Sequence, residues 1–292
     1  MIAADRRWLL RGAGRLLPVP KTGNIPVRMR VLPVLFVPLL LAVPVAAKVP
    51  PPDVHGRSAI LVDVQSGRVL FSKNSREQRA VASTQKLLTA LIIAESGNLW
   101  ERVTIKSEDT AAAPTKLYLK AGQTYSRFEL LQALLIKSYN DVALALARDN
   151  AGSYAAFSAK MNHRARAMGA KSSRFLNPNG LPAEGQFSTA RDIAIIARNA
   201  YANPVVRKIV ATPRAEFRFA DGRVRQLVNT NRVLHQAPWC NGMKTGYTNA
   251  AGHCLVSSGQ SNGRDVIAVV LGSNKAHVYQ DSKRLLEWGL RL

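Results

Sequence analysis

Metal chemistry has little to work with here: the sequence holds two cysteines and five histidines, and neither a His-Glu-x-x-His nor a Cys-x-x-Cys pattern occurs. Two cysteines cannot close a zinc site without histidine partners, so neither a metal nor a cofactor is expected. Acidic residues are also scarce, 18 against 41 lysines and arginines, which leaves a net charge of +23. A surface this basic favours polyanions, and in a cytosolic chain nucleic acid would come first. No low-complexity tract and no internal repeat is visible. A membrane-spanning run is missing too. The apolar stretch 31–43 is shorter than the ~20 residues a spanning helix needs, and it contains Pro33 and Pro38.

That short stretch has another use. Arg28-Met29-Arg30 precedes it and Pro44-Val45-Ala46-Ala47 follows it. A basic flank, a short apolar core and small residues at the end describe a secretory signal peptide, with cleavage expected after Ala47. The segment ahead of the core is unusually long, so Met29 is an alternative start. Without the seven basic residues and one acid of residues 1–47, the net charge becomes +17. An exported chain meets wall peptides and anionic lipid head groups rather than nucleic acid, so the expected compartment is the periplasm. No spanning segment would remain, and contact with wall or lipid would be electrostatic. Residues 48–57, with Pro50-Pro51-Pro52, read as a stiff linker, and 58–292 as a single domain ending soon after its last helix.

Within that domain Ser58–Val64 and Arg68–Phe71 read as a hairpin turned at Gln65-Ser66-Gly67. An apolar helix then runs from Ser83 to Glu95, stopped by Gly97. Ser126 and Glu129 fit a capping box ahead of a helix ending at Lys137, and a second helix begins at Asp141. Asn177 to Pro182 is a turn cluster, and Ser188-Thr189 caps a further helix. Residues 204–238 alternate weakly and suggest short strands with basic faces. Three strands, 243–248, 253–258 and 265–271, precede a closing helix, 282–290. Strands at both ends with helices between predict an α/β (α+β) fold, an antiparallel sheet built from the two termini around an inserted helical block. Cys254 should face the region of Thr245 or Gly246, several residues from Cys240, so no disulfide is expected.

Three short motifs carry polar groups out of this apolar frame. Ser83 and Lys86 lie one helical turn apart, which brings a hydroxyl within reach of an amine. Serine is a poor nucleophile until a base takes its proton. For a lysine to serve near neutrality its pKa must fall by roughly 3 units, which burial and a second cation can supply. The same spacing also arises from a helix cap beside a solvated lysine, so the pair alone decides nothing. Ser138-Tyr139-Asn140 projects a hydroxyl and an amide from the turn between two buried helices. Lys244-Thr245-Gly246-Tyr247 offers a cation and a hydroxyl to a carboxylate, and its glycine lets a substrate backbone come close. Two decoys show how weak single motifs are: Lys21-Thr22-Gly23 matches inside the leader, and Gly259-Gln260-Ser261-Asn262-Gly263 matches the nucleophile elbow although a strand follows it.

Taken in order, Ser-x-x-Lys, Ser-x-Asn and Lys-Thr-Gly resemble the penicillin-binding serine hydrolases, which carry this trio. The resemblance is to the low-molecular-mass D-alanyl-D-alanine carboxypeptidases and their D,D-endopeptidase relatives. It extends over Phe187–Asp192, Thr248–Leu255 and Ser282–Gly289, nearly all of 55–292. It implies a β-lactamase/transpeptidase-like fold and a peptidoglycan stem peptide as substrate, with β-lactam antibiotics as covalent inhibitors. Ser83 would attack the carbonyl between two terminal D-alanines, and Lys86 would take its proton. Ser138 and Lys244 would relay that proton to the departing amine. Asn140 would hold the substrate amide, Thr245 the terminal carboxylate, and the N–H groups of Ser83 and Tyr247 the oxyanion. No arginine in 273–280 matches the carboxylate-gripping arginine of the carboxypeptidases, which leaves crosslink cleavage as the alternative. A β-lactamase would need a deacylating base, for which only the loop residue Glu184 is near, and a penicillin-recognising sensor domain is the remaining reading.

Overall fold

A computed structural model describes residues 49–292, with Pro18 and Gly23 as isolated positions. Those two apart, the expected leader, 1–47, with Lys21 and Thr22 of its decoy, lies outside the described residues. The first strands are β1 (Ser58–Asp63) and β2 (Val69–Lys73). Their turn is tied by Asp63, whose carboxylate accepts from the Ser66 N–H at 2.8 Å and its hydroxyl at 2.6 Å. A 3-10 turn, Ala82–Gln85, leads into α1 (Lys86–Glu95). Ser83 therefore sits in the tighter turn and Lys86 opens the α-helix, a refinement of the single helix expected from Ser83. Every α1 residue from Lys86 to Ile93 is buried. A helix apolar on all sides belongs inside the protein.

The insertion follows as β3 (Arg102–Thr104), α2 (Ser107–Thr110), β4 (Thr124–Ser126), α3 (Arg127–Lys137), α4 (Asn140–Ala151), α5 (Tyr154–Ala167) and α6 (Ala190–Ala202). The capping box at α3 forms as its sequence predicts: the Ser126 hydroxyl accepts from the Glu129 N–H, and the Glu129 carboxylate from the Ser126 N–H at 2.7 Å. Residues 204–238 hold the expected short strands only in part, as one hairpin between two helices. They form α7 (Pro204–Val210), the hairpin β5 (Arg214–Arg218) and β6 (Val224–Val228), and α8 (Arg232–Gln236). The overlooked signal was Asn203-Pro204. The Asn203 side chain accepts from the N–H groups of Val205 and Val206, and proline at the first helical position loses no bond.

The chain closes with β7 (Thr245–Thr248), β8 (Gly252–Ser261), β9 (Arg264–Ser273) and α9 (Val278–Leu290). One sheet runs in the order β2-β1-β9-β8-β7, with its neighbours antiparallel, so the two ends of the domain meet at β1 and β9 as expected. Alternate residues divide its two faces. Ile60, Val62, Ile267 and Val269 join the core of the helical block. Ala59, Leu61, Val266 and Ala268 join the layer under α9. Burial on both faces explains why these strands read as near-continuous apolar runs. The second decoy is the β8–β9 turn, with Asn262 and Gly263 both at positive φ, as a tight hairpin requires. Among the described residues no helix is long and apolar enough to cross a membrane.

Candidate active site

Ser83, Ser138, Asn140, Thr245, Gly246 and Tyr247 all line one cleft of about 320 Å³. It opens where β7, an edge strand, passes the Ser83 turn. The reason for glycine at 246 is visible there: a Cβ would lie 2.9 Å from the Ser83 nitrogen and 3.1 Å from that of Thr84. The sequence had suggested a glycine open to a substrate backbone, and the close neighbour is the nucleophile's own turn. Three positions in or just before the motifs carry unusual backbone: Ala82, Ser138 and Met243 have φ of 48°, 69° and 98°. Strain of this kind costs about 1–3 kcal/mol per residue and persists where surrounding structure holds it.

Lys86 and Lys244 are fully buried. Burial first, and then the charge of Lys244, hold Lys86 well below the usual lysine range, with Asp141 opposing. Burial brings Lys244 down to about 7. The Lys86 amine has three neighbours, Asn140 Oδ1 at 2.8 Å, the Asn179 carbonyl at 2.6 Å and Ser83 Oγ at 2.7 Å. The first two oxygens can only accept. A neutral amine gives them its two hydrogens and keeps its lone pair for the Ser83 hydroxyl.

Asn140 has little left to offer a ligand. Its Nδ2 donates to the carbonyls of Ala113 and Pro114 at 3.0 and 2.9 Å. In this geometry the side chain orients Lys86 and ties down the loop that forms one wall. Asp141, next to it, fixes the same loop by accepting from the N–H groups of Leu117, Tyr118 and Leu119. Ser138 lines the cleft from the left-handed cap of α3. Among the described residues its hydroxyl makes no hydrogen bond, and the Lys244 amine donates to the Thr245 carbonyl at 2.9 Å. The pair expected to relay a proton is therefore not directly bonded.

Strand pairing aims the remaining groups. Lys244 and Val256 exchange both backbone bonds at 2.9 Å. Since antiparallel pairs alternate, Gly246 also faces β8, while Thr245 and Tyr247 turn their N–H and C=O groups to the open edge. Tyr247 itself is 56% exposed, its ring 4.4 Å from that of His253. Burial, aided by Lys275, lowers the pKa of His253, which also lines the cleft. Cys254 lies opposite Gly246, and both cysteines are free and buried, with burial pushing each thiol up to about 11.

The turn cluster expected at 177–182 backs this site, a placement its sequence did not reveal. The consecutive carbonyls of Asn177, Pro178 and Asn179 accept from Gln85, Thr89 and Lys86 at 2.6, 2.7 and 2.6 Å. Gly180 follows at φ +81°, and a Cβ there would meet the Ala82 carbonyl at 2.2 Å. Gly180→Ala is expected to lower stability by about 2–3 kcal/mol and to cut activity further than that loss explains, because the colliding atom belongs to the Ser83 turn. Thermal melts beside kcat/KM check this; an unchanged melt contradicts it. Thr230 was also missed: it lines the cleft, with its Oγ1 2.7 Å from that of Thr245.

A sheet built from both termini, a helical block, and a serine–lysine pair facing a Lys-Thr-Gly edge strand define a penicillin-binding serine hydrolase. The chain belongs to the D-alanyl-D-alanine carboxypeptidase family, whose sequence pattern matches residues 45–275. It is 37% identical over 253 residues to D-alanyl-D-alanine carboxypeptidase DacB2 of Mycobacterium tuberculosis, covering 85% of this chain and 86% of that one. Against D-alanyl-D-alanine carboxypeptidase DacF of Bacillus subtilis it is 35% identical over 225 residues, 75% of this chain but only 58% of the relative's length. A D-alanyl-D-alanine endopeptidase of Pseudomonas aeruginosa is 32% identical over 275 residues, 89% and 88% of the two chains. Among solved structures, a D-alanyl-D-alanine carboxypeptidase from M. tuberculosis H37Rv superimposes with a TM-score of 0.80 at 35% identity, over 85% of this chain and 95% of that one.

Proposed function

We propose that this chain is an exported serine D,D-carboxypeptidase acting on peptidoglycan stem peptides through a Ser83 acyl-enzyme. The observation that carries the proposal is the Lys86 amine, buried, lowered in pKa, and hydrogen bonded so that only Ser83 can give it a proton. The Ser83 hydroxyl passes its proton to Lys86 as Oγ attacks the carbonyl between the last two D-alanines. The N–H groups of Ser83 and Tyr247 take the oxyanion, each donor worth about 2.7–4 kcal/mol. The C–N bond then breaks, and the leaving amine takes a proton through Ser138 and Lys244. Water cleaves the ester and restores Ser83. Thr245 holds the terminal carboxylate, and the outward groups of Thr245 and Tyr247 align the peptide as an added strand.

A second reading, crosslink cleavage, draws support from a specific feature: among the described residues no arginine lines the cleft to demand a free chain end. Incubating wild type and Ser83→Ala with a D-Ala-D-Ala pentapeptide and with crosslinked muropeptide dimers separates the two. Alanine release by wild type alone is expected; dimer cleavage without alanine release favours the endopeptidase, and turnover of neither contradicts both. No aspartate or glutamate lines the cleft, and Glu184 is exposed outside its lining. Penicillin is therefore a slowly released acylating inhibitor rather than a turned-over substrate. The family setting also supports export, with 1–47 as leader, 48–57 as linker and 58–292 as the catalytic domain held near anionic wall or lipid by charge. Amino-terminal sequencing of the exported protein checks the boundary at Lys48.

A further inference from the structure

One end of the cleft carries two hydroxyls where the proposed chemistry uses one. Thr230 and Thr245 present Oγ1 atoms 2.7 Å apart, and both side chains line the cleft. They arrive on separate elements, Thr245 at the start of β7 and Thr230 in the turn before α8. The fold holds Thr230 in place. Its N–H donates to the Ile136 carbonyl at 3.2 Å, and its carbonyl accepts from the Tyr279 hydroxyl at 3.4 Å. On one side Asn229 is anchored to the carbonyls of Val210 and Thr212; on the other Asn231 donates to Ser257 Oγ at 3.0 Å. A β-branched side chain on so fixed a backbone has few rotamers, so its hydroxyl stays where it is.

Each hydroxyl has one hydrogen to donate and two lone pairs. Bonded to one another, the two oxygens occupy only one of their two hydrogens. A carboxylate accepts and never donates, and its two oxygens can take both hydrogens once the hydroxyls rotate outward. Nothing acidic in the lining competes for them, and Arg232, next in sequence, lies over the Tyr279 ring at 5.2 Å instead of lining the cleft. We infer that Thr230 and Thr245 form a two-hydroxyl clamp for the leaving group's carboxylate, with Thr230 a specificity-determining residue. The inference rests on the D,D-peptidase function proposed above. Recognition by a hydroxyl pair takes the place of an arginine and reads the carboxylate by hydrogen bonding.

Binding tests the clamp without needing turnover. In a Ser83→Ala background, calorimetry measures Kd for an acyl-D-Ala-D-Ala peptide as the free acid and as its C-terminal amide. Adding Thr230→Val is expected to weaken the acid about 10- to 100-fold, the range of hydrogen bonds to charged groups, while moving the amide by less than ~3-fold. Thr230→Ser, which keeps the hydroxyl, should hold the acid within ~3-fold of its parent. In the active enzyme the valine variant should raise KM more than it lowers kcat. Equal acid binding with and without the Thr230 hydroxyl overturns the clamp, as does serine failing as badly as valine, or no acid binding by the parent. Acid binding by Ser83→Ala together with no hydrolysis by wild type would instead contradict the proposed function and leave the clamp standing.

Discussion

Ser83→Ala is expected to lower kcat/KM on a D-Ala-D-Ala peptide by about 10⁴-fold or more and to abolish covalent labelling by penicillin. The size of the effect follows from what remains. Without Oγ no ester can form, and the lone pair of Lys86 has no hydroxyl to activate. Binding through Thr245 and the strand edge survives, so the variant should still take up the peptide. Folding should survive as well. Ser83 is only partly buried, and its hydroxyl's one bond to the backbone is the long 3.3 Å contact with the Asn179 carbonyl. Parallel melts of wild type and variant check this; a variant that keeps more than a few per cent of the activity contradicts Ser83 as nucleophile.

Lys86→Met should cost about 10²–10⁴-fold in the rate of Ser83 acylation, the usual worth of a general base. Methionine keeps most of the buried volume but leaves the Asn140 acceptor without its donor and the Asn179 carbonyl with only the long Ser83 contact, so some stability is lost too. The sign of the pH dependence is fixed by which form works. Only neutral Lys86 can accept a proton, so wild-type acylation should rise with pH and level off once Lys86 has lost its proton. Because burial and Lys244 both push that pKa down, the plateau begins well below the ordinary lysine value of 10.5. Lys244 gains charge around pH 7, and that charge opposes protonation of Lys86; activity is lost on the acid side as Lys86 is reprotonated. Stopped-flow acylation across pH measures this limb. A rate that keeps climbing to pH 10 shows an ordinary lysine and contradicts the assignment.

The parts of this protein that were legible in its sequence are those written in local spacing. Ser83 and Lys86 are one turn apart, Ser126 and Glu129 close a capping box, and the apolar runs of β1 and β9 read as strands of a sheet built from the two termini. The parts that were not legible depend on atoms every residue carries, or on partners far along the chain. Lys86 meets the Asn179 carbonyl 93 residues away, and a backbone oxygen leaves no mark in a sequence. Asn140 could be placed at the site, but its bonds to Lys86 and to the carbonyls of Ala113 and Pro114 could not be read, because those carbonyls come from an irregular loop. Thr230 looked like one polar residue in a weakly alternating stretch until the fold set it beside Thr245. Asn203-Pro204 was readable as a helix start and was overshadowed by the alternation that followed.

The central claim is that a neutral, buried Lys86 turns Ser83 into an acylated nucleophile. Mass spectrometry of wild-type protein digested after brief exposure to penicillin tests it most directly. The account predicts one adduct, on the peptide carrying Ser83, forming faster as pH rises to the Lys86 plateau. An adduct on any other residue, or none at any pH, contradicts it.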